Sequence, residues 1–163
     1  MISLRSIFSA ALLMAIATFP AISNAEESNE DVLLTVTVNG AVTEYCMDKL
    51  SELPPTTFTT TTIWTEGEQT FTGVSLHDFM EHLETQATAL RAMAINDYSI
   101  EIPMSDAAPD GPIIAYMRND EPMTVRDKGP LWIVYPYDSD PKFRSEEIYF
   151  RSIWQLDRIE ILN

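Results

Sequence analysis

Three groups of side chains in this sequence could do chemistry. Cys46 is the only thiol, and a thiolate can attack a disulfide or hold a soft metal. A single cysteine closes no disulfide within the chain, so in an oxidising compartment it is buried, pairs with another chain, or reacts. Burial is the default, because free cysteine packs as a small hydrophobe. As a redox handle it would have Lys49 one helical turn on to lower its pKa, with Glu44 and Asp48 opposing. The second group is His77, Asp78, Glu81 and His82, where a histidine and a carboxylate four apart could chelate a metal. The two histidines do not share that interval, so the group reads as a solvated helix face and no metal site is assigned. The third is the threonine-rich stretch from Thr56 to Gly73, which holds Trp64. It supplies hydroxyls where catalysis usually needs a thiol, imidazole or carboxylate. No general acid or base can be named from any of the three.

The elements that must position these groups follow from periodicity. Threonine is β-branched and favours extended backbone, so Thr56 to Trp64 reads as a strand. Glu66-Gly67-Glu68 turns the chain, Gln69 to Thr72 extends again, and Gly73 opens a helix. Leu76, Phe79, Met80 and Leu83 then share one helical face, with Ser75 as cap and Asp78 in the first turn. Upstream, Asp31 to Val38 alternates as a strand before the Asn39-Gly40 turn. A short strand over 41–43 and a helix over 45–53 follow, the latter stopped by Pro54-Pro55. Downstream, Thr85 to Ala94 is Ala-rich and reads as helical. Strands are expected at Tyr98–Ile102, Ile113–Met117, Leu131–Tyr135 and Trp154–Leu162, and a short helix over Ser145–Arg151. Strands and short helices mixed in this irregular order indicate an α+β (mixed α/β) fold.

Composition bounds the function. The chain has 163 residues with 10 Lys and Arg against 25 Asp and Glu, a formal charge of −15. Such a surface repels phosphate backbones and anionic lipid, which excludes nucleic-acid binding. Cations are uneven: residues 26–109 hold only Lys49 and Arg91. An anionic ligand would therefore bind through the second half, unless its cations simply pair with neighbouring acids. Residues 1–25 have the pattern of a cleaved signal peptide. Arg5 precedes an apolar run from Ile7 to Phe19, and Ser23-Asn24-Ala25 offers small residues to a signal peptidase. An uncleaved N-terminal anchor is the alternative. Cleavage after Ala25 leaves residues 26–163 as one domain in the periplasm.

The ordered set of segments is specific. A Thr-rich strand ends in Trp64, and Phe71-Thr-Gly73-Val-Ser-Leu76 leads into a helix. Asp97-Tyr98 and Ile-Glu-Ile-Pro follow, then Gly129-Pro130-Leu-Trp-Ile-Val-Tyr-Pro136 and Ile153-Trp154-Gln-Leu-Asp-Arg158-Ile-Glu-Ile161. This resembles the molybdopterin-binding domain of the sulfite oxidase family, most closely its small stand-alone periplasmic members. The resemblance implies strands and short helices around a cofactor cleft, where family enzymes hold a molybdenum–pterin group and act on small oxyanion-like or sulfoxide substrates. It also implies that the ligating cysteine, four residues before the tryptophan, is replaced here by Thr60. A hydroxyl is a hard ligand, not deprotonated near neutral pH, and cannot stand in for a thiolate. Two cations that the family tends to place in the cleft correspond to Trp132 and Ile153.

These losses favour a non-catalytic binding, sensing or accessory module without a cofactor. Its partner would be a small molecule or a periplasmic or membrane signalling protein. The alternative is a molybdopterin-dependent oxidoreductase. Candidate ligand-binding residues are Thr60, Thr62 and Trp64 from the central strand, with Arg118, Trp132, Tyr137 and Arg144 from the basic half. Their roles would be hydroxyl donors, aromatic walls and anion partners. Aromatics crowd the C-terminal region at Trp132, Tyr135, Tyr137, Phe143, Tyr149, Phe150 and Trp154, as pocket walls or as core.

Overall fold

The computed structural model describes residues 31–163; the leader expected over residues 1–25 lies outside them. Two five-stranded sheets form the frame. In the first, β1 (Leu34–Val38) pairs antiparallel with β2 (Ala41–Tyr45) through the Asn39-Gly40 turn, where both residues take positive φ. Its other edge runs parallel to the C-terminal strand, with Val36 opposite Ile159. The short helix α1 (Met47–Ser51) follows β2, with Cys46 at its N-cap position, and buries Leu50.

The second sheet starts with β3 (Pro55–Thr61) and β4 (Glu68–Ser75), a hairpin in which threonine faces threonine. Thr57 and Thr72 share a hydroxyl hydrogen bond of 2.8 Å, and Thr59 and Thr70 one of 2.9 Å. Gly73 does not open a helix. It sits inside β4, where an added Cβ would lie 2.1 Å from the Ile114 carbonyl oxygen. That close backbone approach coincides with a bulge in the pairing of β4 to the later strand at Ile113–Arg118. Helix α2 begins three residues on, at Leu76–His82, with the Ser75 hydroxyl accepting from the Asp78 N–H (2.9 Å). It buries Leu76, Phe79 and Met80 as its periodicity requires.

Residues 89–94, expected helical, form instead strand β5 (Ala89–Ala94), with Leu90, Ala92 and Ala94 buried in strict alternation. Alanine's intrinsic preference for helix is weak against a sheet position with neighbours on both edges. β5 lies between β6 (Ser99–Pro103) and the C-terminal strand. A 3₁₀ turn at Met104–Asp106 leads to β7 (Ile113–Arg118), the centre of the second sheet. One edge of β7 meets β4; the other meets the two-residue β8 (Glu121–Pro122) and then β9 (Trp132–Val134). Helix α3 (Glu146–Arg151), capped by Ser145, precedes the last strand, β10 (Leu156–Leu162).

The two sheets share one hydrophobic core, and backbone pairing also links them beside Trp132. Trp132 of β9 bridges to Trp154, the Ile133 N–H donates to the Ile153 carbonyl (2.9 Å), and Leu156 donates to Leu131 (3.0 Å). The segment between α3 and β10 is thereby stitched to β9 before it enters the first sheet. No helix among the described residues is long and apolar enough to cross a membrane.

Candidate functional site

At that joint lies a cleft of ≈ 610 Å³. One wall is Ile63-Trp64, just after β3; a second is the β5–β6 turn, with Asn96 and Tyr98. The third is α3 and its exit, with Glu146, Tyr149, Phe150, Ser152, Ile153 and Trp154. The tryptophan's position follows from its turn. The Thr62 hydroxyl accepts from the Trp64 N–H (3.1 Å) and shares a 2.8 Å bond with the Thr65 hydroxyl, which fixes the backbone as the chain leaves the strand.

The Trp64 ring is the hub of an aromatic cluster. It meets Trp132 (5.8 Å), Tyr149 (5.8 Å) and Trp154 (5.4 Å) edge-on, at interplanar angles of 66°, 86° and 73°, and Tyr137 at 6.2 Å. Edge-to-face geometry is what the ring quadrupoles prefer. Behind it, Trp132 and Tyr137 are closed off from solvent. Both polar tips are satisfied by Ser152, whose carbonyl accepts from Trp132 Nε1 (3.2 Å) and whose hydroxyl accepts from the Tyr137 hydroxyl (2.6 Å). Burial pushes the Tyr137 hydroxyl pKa well up, so it remains a neutral donor.

Thr60 lies behind this cluster, 1% exposed. Its hydroxyl donates to Asp138 Oδ2 (3.2 Å) and accepts from the Asp138 N–H (3.1 Å). The same carboxylate takes the Thr61 N–H (2.5 Å) and the Thr61 hydroxyl (2.8 Å). These donors, the Thr61 N–H foremost, hold the Asp138 carboxyl below the usual carboxylate range, with a smaller contribution from the Arg144 charge. Thr60 is therefore a fully engaged structural hydroxyl.

Of the seven residues expected at a ligand site, only Trp64 lines the cleft. Thr62 sets the Trp64 backbone, while Trp132 and Tyr137 back its ring. Thr60 and Arg144 converge on Asp138. Arg118 stands apart at the end of β7, 3.8 Å from Asp127. Among the lining residues that sequence reasoning did not choose are Asn96, Tyr98, Glu146 and Ser152. Nothing in their sequence spacing marks them, since α3 and β6, far apart in the chain, come into contact only in the fold. Tyr149, Phe150 and Trp154 were visible as part of the aromatic crowd. Within that crowd, Tyr135, Tyr137, Phe143 and Trp132 are core.

Cys46 is half-buried at the start of α1 and does not line the cleft. His77, Asp78 and Glu81 lie within ligand distance of one another. His77 is otherwise engaged, its Nδ1 3.1 Å from the Ala107 carbonyl and its Nε2 3.6 Å from Glu81.

The model of the oxidoreductase molybdopterin binding domain family matches residues 25–138. Among solved structures, the crystal structure of the sulfane dehydrogenase SoxCD from Paracoccus pantotrophus superposes with a TM-score of 0.62 at 18% identity. The match covers 84% of this chain and 39% of that one, so the likeness concerns the fold of well under half of the larger protein. No curated protein matches the chain.

The donor set of the cleft does not suit a molybdenum–pterin group. None of its lining residues carries a thiol or a cationic side chain, and the one ionisable acid among them is Glu146. A phosphorylated, anionic cofactor needs guanidinium or ammonium partners, and molybdenum needs a soft ligand. At the positions where the resemblance implies cations, Ile153 presents an apolar wall and Trp132 is buried.

Proposed function

The chain belongs to the oxidoreductase molybdopterin binding domain family, and from that premise we propose that it is an exported, non-catalytic ligand-binding or sensing module. In this reading the inherited cleft is kept and the cofactor's anchor is lost. The observation that carries it is Thr60, whose hydroxyl is buried and committed to Asp138. A threonine so engaged offers nothing to a metal. The cleft beside Trp64 supports a binding role: it is of the size that takes a small molecule, and its walls are aromatic with few polar tips. Occupancy would be reported to a periplasmic or membrane signalling partner. The turn at Tyr98 and the helix α3 are the exposed elements through which a bound ligand would be felt.

Family membership favours a second reading, a molybdopterin-dependent oxidoreductase acting on a small oxyanion or sulfoxide-like substrate. Metal analysis of protein exported by its native host separates the two. Less than a tenth of a molar equivalent of molybdenum, with no visible absorption band, is expected. A full equivalent overturns the binding-module reading.

A further inference from the structure

The cleft that the binding-module reading rests on has a chemistry of its own. Its rings are arranged as a box: Tyr149 and Trp154 stand nearly perpendicular to Trp64, while Tyr98 and Phe150 are left 46% and 58% exposed at its mouth. Exposed aromatic rings at a concave site are costly to leave uncovered in water, and their negative faces attract one class of ligand above others. The ring of Trp154 already accepts a cation: the Lys128 ammonium lies 4.7 Å from its centroid. Lys128 itself is not among the residues that line the cleft.

The acids of α3 divide in the same sense. Glu146 and Glu147 both sit in the first turn, where the helix dipole favours them. Glu147 pairs with Arg151 one turn on. Glu146 has no ion pair among the described residues and lines the cleft instead. An exposed carboxylate on the lining of an aromatic cleft, with no cationic residue in that lining and a chain charge of −15 around it, is electrostatically complementary to a positive ligand.

We propose that the cleft binds a small organic cation of the alkylated-ammonium class, with Trp64, Tyr149 and Trp154 boxing the cationic head and Glu146 balancing its charge. The class is the opposite in sign to an anionic pterin. A methylated ammonium suits the box better than a bare one, because it is less strongly hydrated and presents apolar methyls to the rings.

The test uses the exported chain and three probes: choline, its uncharged carbon isostere 3,3-dimethylbutan-1-ol, and indole as a neutral aromatic. Two of the three tryptophans line the cleft, so intrinsic fluorescence reports occupancy and calorimetry gives the affinity. Choline is expected to bind at least about tenfold more tightly than its isostere, the preference expected from desolvated cation–π contact. Glu146→Gln is expected to weaken choline several-fold while leaving indole unchanged, and the exposed Phe150→Ala should weaken both. Equal binding of choline and the isostere, or indifference to Glu146→Gln, overturns the cation assignment and leaves a neutral binding cleft. If indole binds and choline does not, the assignment again fails alone. If none of the three perturbs the tryptophans, the binding-module reading fails with it.

Discussion

Thr60 is buried and bound through its hydroxyl to Asp138. Its hydroxyl and the Asp138 backbone N–H satisfy each other, and the Asp138 carboxylate gathers the donors at the end of the threonine strand. Thr60→Ala removes the buried acceptor of that N–H. Urea unfolding should show a loss of about 1–2 kcal/mol, the usual consequence of leaving a buried donor without its partner. Thr60→Cys introduces a thiol but no cation, and the purified variant should contain no more molybdenum than the parent. The pH dependence has a definite sign. The Asp138 pKa is depressed by the Thr61 N–H and hydroxyl, so its contribution is complete above the ordinary carboxylate pKa of about 4. It is lost as pH falls through the lowered value. Asp138→Asn should therefore flatten this part of the acid limb in a stability-versus-pH series and leave the slope above pH 5 unchanged. An undiminished acid limb would show that the hydrogen bonds from Thr61 to the Asp138 carboxylate contribute little.

At the level of elements, the cleft depends on where α3 is held. Arg151, in its last turn, donates to Asp106 (3.1 Å), and Asp106 also accepts from the Tyr135 hydroxyl (2.7 Å). The two ionised side chains are only 17% and 12% exposed. Removing the cation leaves a mostly desolvated carboxylate facing a tyrosine whose own pKa burial already raises. Arg151→Met should cost about 3 kcal/mol, the low end of the range for breaking such a pair, given its residual exposure. It should also loosen the wall carrying Tyr149 and Phe150, seen as faster amide exchange across 146–154. The helix itself was legible in sequence from its Ser-Glu-Glu start, as was α2 from its spacing of Leu76, Phe79 and Met80. The threonine strand was legible too, because β-branching and alternation agree there. β5 was not: Ala89, Ala92 and Ala94 favour helix locally, and only pairing with β6 and β10 overrides them. The same non-local pairing carries Tyr98 to the cleft. Three of its lining residues, Trp64, Tyr149 and Trp154, could be read as aromatic candidates, whereas Glu146 and Ser152 become meaningful only once α3 is docked.

At the scale of the whole molecule, five of the nine cations among the described residues have a carboxylate partner. Arg91 bridges Glu160 and Glu101 on the first sheet, Arg158 holds Asp97 and Asp157, and Lys142 holds Asp110. In residues 110–163, Arg118, Lys142, Arg151 and Arg158 are thus local counter-ions, while Arg126, Lys128 and Arg144 have no ion pair among the described residues. The 15-charge excess of acids has no such partners. Exposed pairs contribute at most about 1 kcal/mol each, while the repulsion among unmatched carboxylates acts over the whole surface and opposes compactness. Raising ionic strength from about 0.01 M to about 0.15 M shortens the screening length from about 30 Å to about 8 Å, which relieves the long-range repulsion more than the contacts within pairs. Tm at pH 7 should therefore rise on adding sodium chloride, by about 4 °C if screening returns about 1 kcal/mol to a domain of this size. A fall in Tm would mean that the Arg91 and Arg158 networks outweigh the repulsion. Choline chloride at the same ionic strength should stabilise further, because a ligand bound only by the folded state adds its own mass-action contribution. That increment should vanish in Glu146→Gln while the response to sodium chloride persists, separating occupancy of the cleft from screening of the surface.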